Sequence, residues 1–169
     1  MDRLNKDNLH KIEFILNGKE EVGYAEPRML LTDFLRHEIG ATGTHVGCEH
    51  GVCGACTLLV DSQPVRSCLM LAVQIRGKTV QTIEGLANPD GSFGRLQEAF
   101  HQNFALQCGY CTPGMLMTLK ALEESGVEIT EESVRNALSG NICRCTGYTE
   151  IVRAALAAFG KDSKAAAKV

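Results

Sequence analysis

Residues 47–57 read Gly47-Cys48-Glu49-His50-Gly51-Val52-Cys53-Gly54-Ala55-Cys56-Thr57, and eleven residues separate Cys56 from Cys68. This is C-x4-C-x2-C with a distant fourth cysteine, the plant-type spacing for a [2Fe-2S] cluster. The spacing has a physical reason. A two-iron rhomb needs two thiolates on each iron, so one loop must wrap around it and offer three of them. Gly47, Gly51 and Gly54 let such a loop curl tightly and turn N–H groups towards sulfur, which stabilises the charge on a cluster. Cys68 would arrive from the following hairpin. Four buried cysteines, or a zinc site built on Cys53 and Cys56, are the alternatives.

Outward from this loop the first half reads as strands plus one helix. Ile12, Phe14 and Leu16 alternate, and Asn17-Gly18 is a two-residue hairpin signal. Leu30, Leu31, Phe34 and Leu35 recur at helical spacing, with Gly40 as a stop. Thr57 to Val60 is a short strand, residues 61–64 turn it, and a second strand is expected from Val65 towards Leu69. Thr79 to Ile83 is another strand candidate.

The composition then shifts. Asn88-Pro89-Asp90-Gly91-Ser92 is a turn-rich connector. Leu96, Phe100 and Phe104 predict a helix over 94–105. Leu116, Leu119 and Leu122 predict a second, with Pro113 in its first turn and Gly126 at its end. Thr130 is a candidate N-cap for a third, with Glu131 and Glu132 at its positive end. Ile151 to Phe159 predict a fourth. The expected organisation is an α+β chain: a β-rich domain over 1–85, a helical domain over 86–160 and a frayed tail over 161–169.

The helical half carries the other four cysteines. Cys108-Gly109-Tyr110-Cys111 precedes Thr112-Pro113-Gly114, and Cys143-Arg144-Cys145 precedes Thr146-Gly147-Tyr148. Both pairs fall at the starts of predicted helices, where free N–H groups and the helix dipole favour thiolate. Two such starts facing each other could hold a second cluster. Zinc remains a rival, since C-x2-C is a common half of a zinc site.

Composition narrows the function. Apolar residues are 44% and charged residues 22% of the 169, which excludes a disordered or collagen-like chain. Mean hydropathy is -0.05, and no apolar run approaches a membrane span. A net charge of -3 argues against a basic nucleic-acid footprint. The first residues, Met1-Asp2-Arg3-Leu4-Asn5-Lys6-Asp7-Asn8, lack an apolar signal core. The expected compartment is therefore the reducing cytoplasm, where eight cysteines serve metal or redox chemistry rather than disulfides.

Three motifs together, Gly47 to Thr57, Gln107 to Gly114 and Gly140 to Tyr148, resemble the iron–sulfur subunit of the molybdenum hydroxylases, the xanthine oxidase and aerobic carbon monoxide dehydrogenase family. The resemblance covers about residues 10–160. It implies an N-terminal ferredoxin-like β-grasp domain followed by an all-helical four-helix [2Fe-2S] domain. It implies cluster ligands Cys48, Cys53, Cys56 and Cys68, and Cys108, Cys111, Cys143 and Cys145. It further implies a large molybdopterin-binding partner subunit, a medium FAD-binding one, and assembly as a dimer of heterotrimers. Cys145 would lie against the pterin and Gln107 would hydrogen-bond it. No residue of this chain would be catalytic. Glu49-His50-Gly51 stands where carbon monoxide dehydrogenases commonly carry Asp-Thr-Ser, which leans the substrate towards an aromatic or N-heterocyclic compound.

Other residues have plainer expectations. A Rieske centre would need two histidines, but four cysteines make His45 and His50 superfluous, so both are expected as solvent-facing loop residues. Arg144 could tune cluster charge, pair with a partner subunit or simply lie on the surface. Tyr110 and Tyr148 could pack over a cluster or an interface, with core packing the plainer expectation, and Met115, Leu116 and Met117 are expected in helix core rather than a docking patch. The rival functions are a free two-cluster ferredoxin acting as a soluble carrier and a zinc-bound interaction module. A carrier often shows a strongly charged face for steering, which a net charge of -3 hardly suggests.

Overall fold

A computed structural model describes residues 4–6 and 8–160. The expected tail, 161–169, lies outside the described residues. The first half is built on a five-stranded mixed sheet of order β2-β1-β5-β3-β4. Strand β1 (His10–Leu16) buries Ile12, Phe14 and Leu16 and points the intervening residues to solvent, which is the period-two pattern of a one-sided strand. It pairs antiparallel with β2 (Lys19–Ala25) through Asn17-Gly18, both at positive φ. Strand β3 (Thr57–Val60) pairs antiparallel with β4 (Gln63–Arg66). Strand β5 (Thr79–Gln81) closes the sheet, parallel to β1 and antiparallel to β3.

Helix α1 (Leu31–Asp33) widens directly into a π-helical turn, Phe34–Glu38. It covers the sheet with Leu31, Phe34 and Leu35, all fully buried with Ile12, Leu58, Ile75 and Val80. Fully burying each such side chain contributes about 1.5–3 kcal/mol.

Two expected strands end early. The strand expected to run to Leu69 stops at Arg66, because its partner begins at Thr57 and Cys56 already belongs to the cysteine loop. Ser67–Leu69 instead forms a 3-10 turn carrying Cys68. Ser67 pins that turn, donating from both N and Oγ to the Cys56 carbonyl at 3.3 and 2.8 Å. The strand expected to reach Ile83 ends at Gln81. There the Asn17 side chain takes the Thr82 N–H at 2.9 Å, and Ile83–Leu86 turns as a 3-10 segment.

The second half holds α2 (Arg95–Gln102), α3 (Thr112–Glu124), α4 (Glu131–Leu138) and α5 (Tyr148–Ala158). α2 and α4 both pack on α5, and α3 packs on α4 and on β3. Leu96, Phe100, Met115, Leu119, Val134, Ile151 and Ala154 form their core. α4 starts at Thr130, whose Oγ1 accepts from the Ser133 amide at 3.0 Å while Ser133 Oγ accepts from the Thr130 amide.

Phe104 corrects the expected stripe of α2. The helix ends at Gln102, Phe104 takes a left-handed φ of 52°, and the Ala105 amide returns to the Phe100 carbonyl. Phe104 is left 83% exposed. Tyr110 and Tyr148 also miss the core, whereas Met115, Leu116 and Met117 are buried as expected.

Candidate metal centres

The loop between α1 and β3 is shaped by residues at positive φ: Glu49, Gly51 and Gly54. It turns backbone donors inward. Cys48 Sγ accepts from the amides of Cys53 at 3.3 Å and His50 at 3.4 Å. These hydrogen bonds, Cys53 first, bring the Cys48 thiol down to about 6, well below the ordinary thiol range. Burial pushes the Cys68 thiol up to about 11, Cys56 adds to that, and the Gly51 N–H opposes it. Gly47 acts sterically, since a Cβ there would stand 3.0 Å from Cys53 Sγ. Cys48 is influenced by Cys53, and Cys68 by both Cys56 and Cys48, so the four thiols are near neighbours.

The second quartet lines a cavity of about 130 Å³, together with Gln107, Gly147 and Phe104. Cys111 occupies the N-cap position of α3, as expected from the helix start. Burial, then contact with Cys143, pushes its thiol up to about 12. The Tyr110 amide, then Cys145, holds Cys108 below the ordinary thiol range. Cys108 is influenced by Cys145, and Cys111 by both Cys143 and Cys108, so this quartet too is one connected group.

Cys143 and Cys145 precede α5, which begins at Tyr148, three residues nearer to them than the expected start at Ile151. Their loop is held by the Cys143 amide donating to Tyr148 Oη at 2.7 Å. Gln107 lies on the exposed rim and donates from Nε2 to the Cys145 carbonyl at 3.4 Å. Arg144 is exposed.

Among the described residues, no three His, Cys, Asp or Glu side chains converge as one metal ion would require. Four thiols close together suit a core of two irons, each needing two thiolates. All eight donors are soft sulfurs, which select iron–sulfur clusters over hard cations. The residues present therefore fit one [2Fe-2S] cluster in each quartet.

Residues 14–82 match the model of a 2Fe-2S iron-sulfur cluster binding domain, and residues 82–156 match that of a [2Fe-2S] binding domain. The gamma subunit of caffeine dehydrogenase from a Pseudomonas species is 52% identical over 148 residues, covering 86% of this chain and 88% of that one. The beta subunit of the 6-hydroxypseudooxynicotine dehydrogenase complex of Paenarthrobacter nicotinovorans is 51% identical, covering 90% and 95%. The structure of quinoline 2-oxidoreductase from Pseudomonas putida superposes with a TM-score of 0.85 at 46% identity, covering 92% of this chain and 99% of that one. The chain belongs to the small iron–sulfur subunits of the molybdenum hydroxylase family.

This small subunit is thus a two-cluster electron-transfer component of an oxidoreductase. Its two cysteine loops touch. The Ile142 amide donates to the Cys53 carbonyl at 2.8 Å, and Asn141 Nδ2 donates to the Gly54 carbonyl at 3.1 Å. Arg66 spans the same seam, donating to Thr57 Oγ1 and to the Gly140 carbonyl.

His45 corrects its expected reading. It is half-buried, stacks on Tyr110 with ring centroids 4.8 Å apart, and its Nδ1 lies 2.9 Å from the Tyr110 carbonyl oxygen. His50 is exposed as expected. Sequence reasoning missed Arg66 and Asn141, since neither sits in a spacing pattern that names a partner. Among the described residues, no helix is long and apolar enough to cross a membrane.

Proposed function

We propose that Cys48, Cys53, Cys56 and Cys68 hold one [2Fe-2S] cluster and that Cys108, Cys111, Cys143 and Cys145 hold the other. Each cluster takes up and releases one electron at a time. The protein's part is to fix the two centres, bury Cys56, Cys68 and Cys143, and aim amides at sulfur. The observation that carries this reading is the gathering of four thiols in each half, the second four lining one cavity and the first wrapped by a loop that aims backbone amides at Cys48 Sγ.

In this reading the sheet half is a ferredoxin-like β-grasp domain ending near residue 85, and the rest is a four-helix cluster domain. Electrons enter from molybdopterin in a large subunit and leave towards FAD in a medium subunit, within a cytoplasmic dimer of heterotrimers. Gln107 and Cys145 face the pterin. Their position supports this: they rim an open cavity beside Phe104 and Leu106, apolar side chains left in solvent as at an unfilled interface. The same exposure argues for a permanent subunit over a free carrier. An aromatic or N-heterocyclic substrate is supported by the relatives, whose names specify caffeine, 6-hydroxypseudooxynicotine and quinoline.

Purifying the native complex tests the proposal. Molybdenum, flavin and a large partner co-purifying with this chain are expected. A lone chain retaining both clusters would make it a carrier instead.

A further inference from the structure

Arg66 is the half-buried cation at the seam between the two cysteine loops. It sits two residues before Cys68 on β4. One guanidinium nitrogen donates to Thr57 Oγ1, on the residue after Cys56, and the other donates to the Gly140 carbonyl at 2.8 Å. Gly140 admits it closely, since a Cβ there would stand 2.7 Å from Arg66 Nη2. No carboxylate pairs with Arg66 among the described residues, although seven other lysines and arginines form ion pairs. Both its hydrogen bonds go to neutral oxygens, so its charge is not cancelled locally.

An unneutralised fixed charge in a partly desolvated position acts on whatever charge changes nearby. Four thiolates leave a [2Fe-2S] core negative, and reduction adds one more negative charge. A neighbouring cation favours the reduced form and raises the potential; charge and hydrogen bonding around the cluster are the protein's means of setting it.

We propose that Arg66 is a positioning residue that acts electrostatically, its fixed charge raising the reduction potential of the cluster held by Cys48, Cys53, Cys56 and Cys68. The inference rests on the ligand assignment proposed above. Its hydrogen bonds hold the charge at the seam, and Thr57 and Gly140 serve as the mount.

The test is EPR-monitored redox titration of the full chain in its complex, comparing the parent with R66Q and R66K. R66Q removes the charge and R66K keeps it. With R66Q the midpoint of that cluster is expected to fall, shifting its oxidised-to-reduced ratio about tenfold at fixed potential, or about 59 mV for one electron. With R66K it should stay near the parent. An unchanged midpoint in R66Q, or equal falls in R66Q and R66K, would overturn the proposal. An Arg66→Met variant, which removes the charge and keeps an unbranched stem, covers the case in which R66Q fails to fold: its midpoint should fall below the parent's by a similar amount, and an unchanged midpoint would overturn the proposal. If the parent shows no pair of [2Fe-2S] signals, the ligand assignment itself is wrong, a result separable from any of these.

Discussion

Ile142 donates its backbone N–H to the carbonyl of Cys53 across 2.8 Å, so a cysteine of the first quartet and the residue preceding Cys143 share one hydrogen bond. The two cysteine loops are therefore parts of one packed seam. Gly114, from the first turn of α3, completes it, since a Cβ there would stand 2.2 Å from the Gly54 carbonyl oxygen and 3.0 Å from Ala55 Cα.

Gly114→Ala places a methyl group against backbone that cannot move without shifting the first cysteine loop. Overpacking of this kind costs about 1–3 kcal/mol. Thermal denaturation should show a lower Tm for the variant. An unchanged Tm would mean the loop yields freely.

Asn141 is 3% exposed and spans the seam, donating to the Gly54 carbonyl and accepting from Thr118 Oγ1 at 3.0 Å. Asn141→Ala removes this bridge, but the Gly54 carbonyl keeps its Thr57 donors and Thr118 Oγ1 keeps the Gly114 carbonyl, so the cost is about 0.5–1.5 kcal/mol. The expected readout is an earlier urea midpoint with unchanged slope. A midpoint equal to the parent's would show that the bridge contributes nothing.

Asp61 is held below the ordinary aspartate range, first by the hydrogen bond from Lys78 and then by the Thr79 N–H. A depressed carboxylate stabilises the fold above its unfolded value, about 3.9, and that stabilisation fades as pH falls through the lower folded value. Asp61→Asn should therefore lie below the parent in stability by a constant amount at neutral pH. The gap should close in acid below about pH 4. Denaturation across pH measures it, and a gap that widens in acid would contradict the assignment.

Local features were legible in the sequence. The alternation of Ile12, Phe14 and Leu16, the Asn17-Gly18 turn and the Thr130 cap each involve residues within one element, and the structure carries all three. The cysteine spacings drew attention to both quartets because each short motif, Cys48 to Cys56, Cys108 to Cys111 and Cys143 to Cys145, lies within one loop. What sequence could not show depends on distant partners. Arg66 meets Gly140, and Asn141 meets Gly54, across 74 and 87 residues. Phe104 reads as core by periodicity, but a left-handed residue is needed to turn the chain towards Cys108, and that turn ejects its ring. His45 reads as a free loop residue because nothing near it in sequence names Tyr110, its stacking partner.

The central claim is that each quartet holds its own two-iron cluster. Iron analysis and EPR of the reduced complex, with Cys68→Ser and Cys143→Ser as single variants of this chain, test it most directly. The account predicts about four irons per chain in the parent and two distinguishable [2Fe-2S] signals. Each variant should lose or alter a different one of the two signals and leave the other in place. Zinc in place of iron in either half, or one signal abolished by both variants, would contradict it.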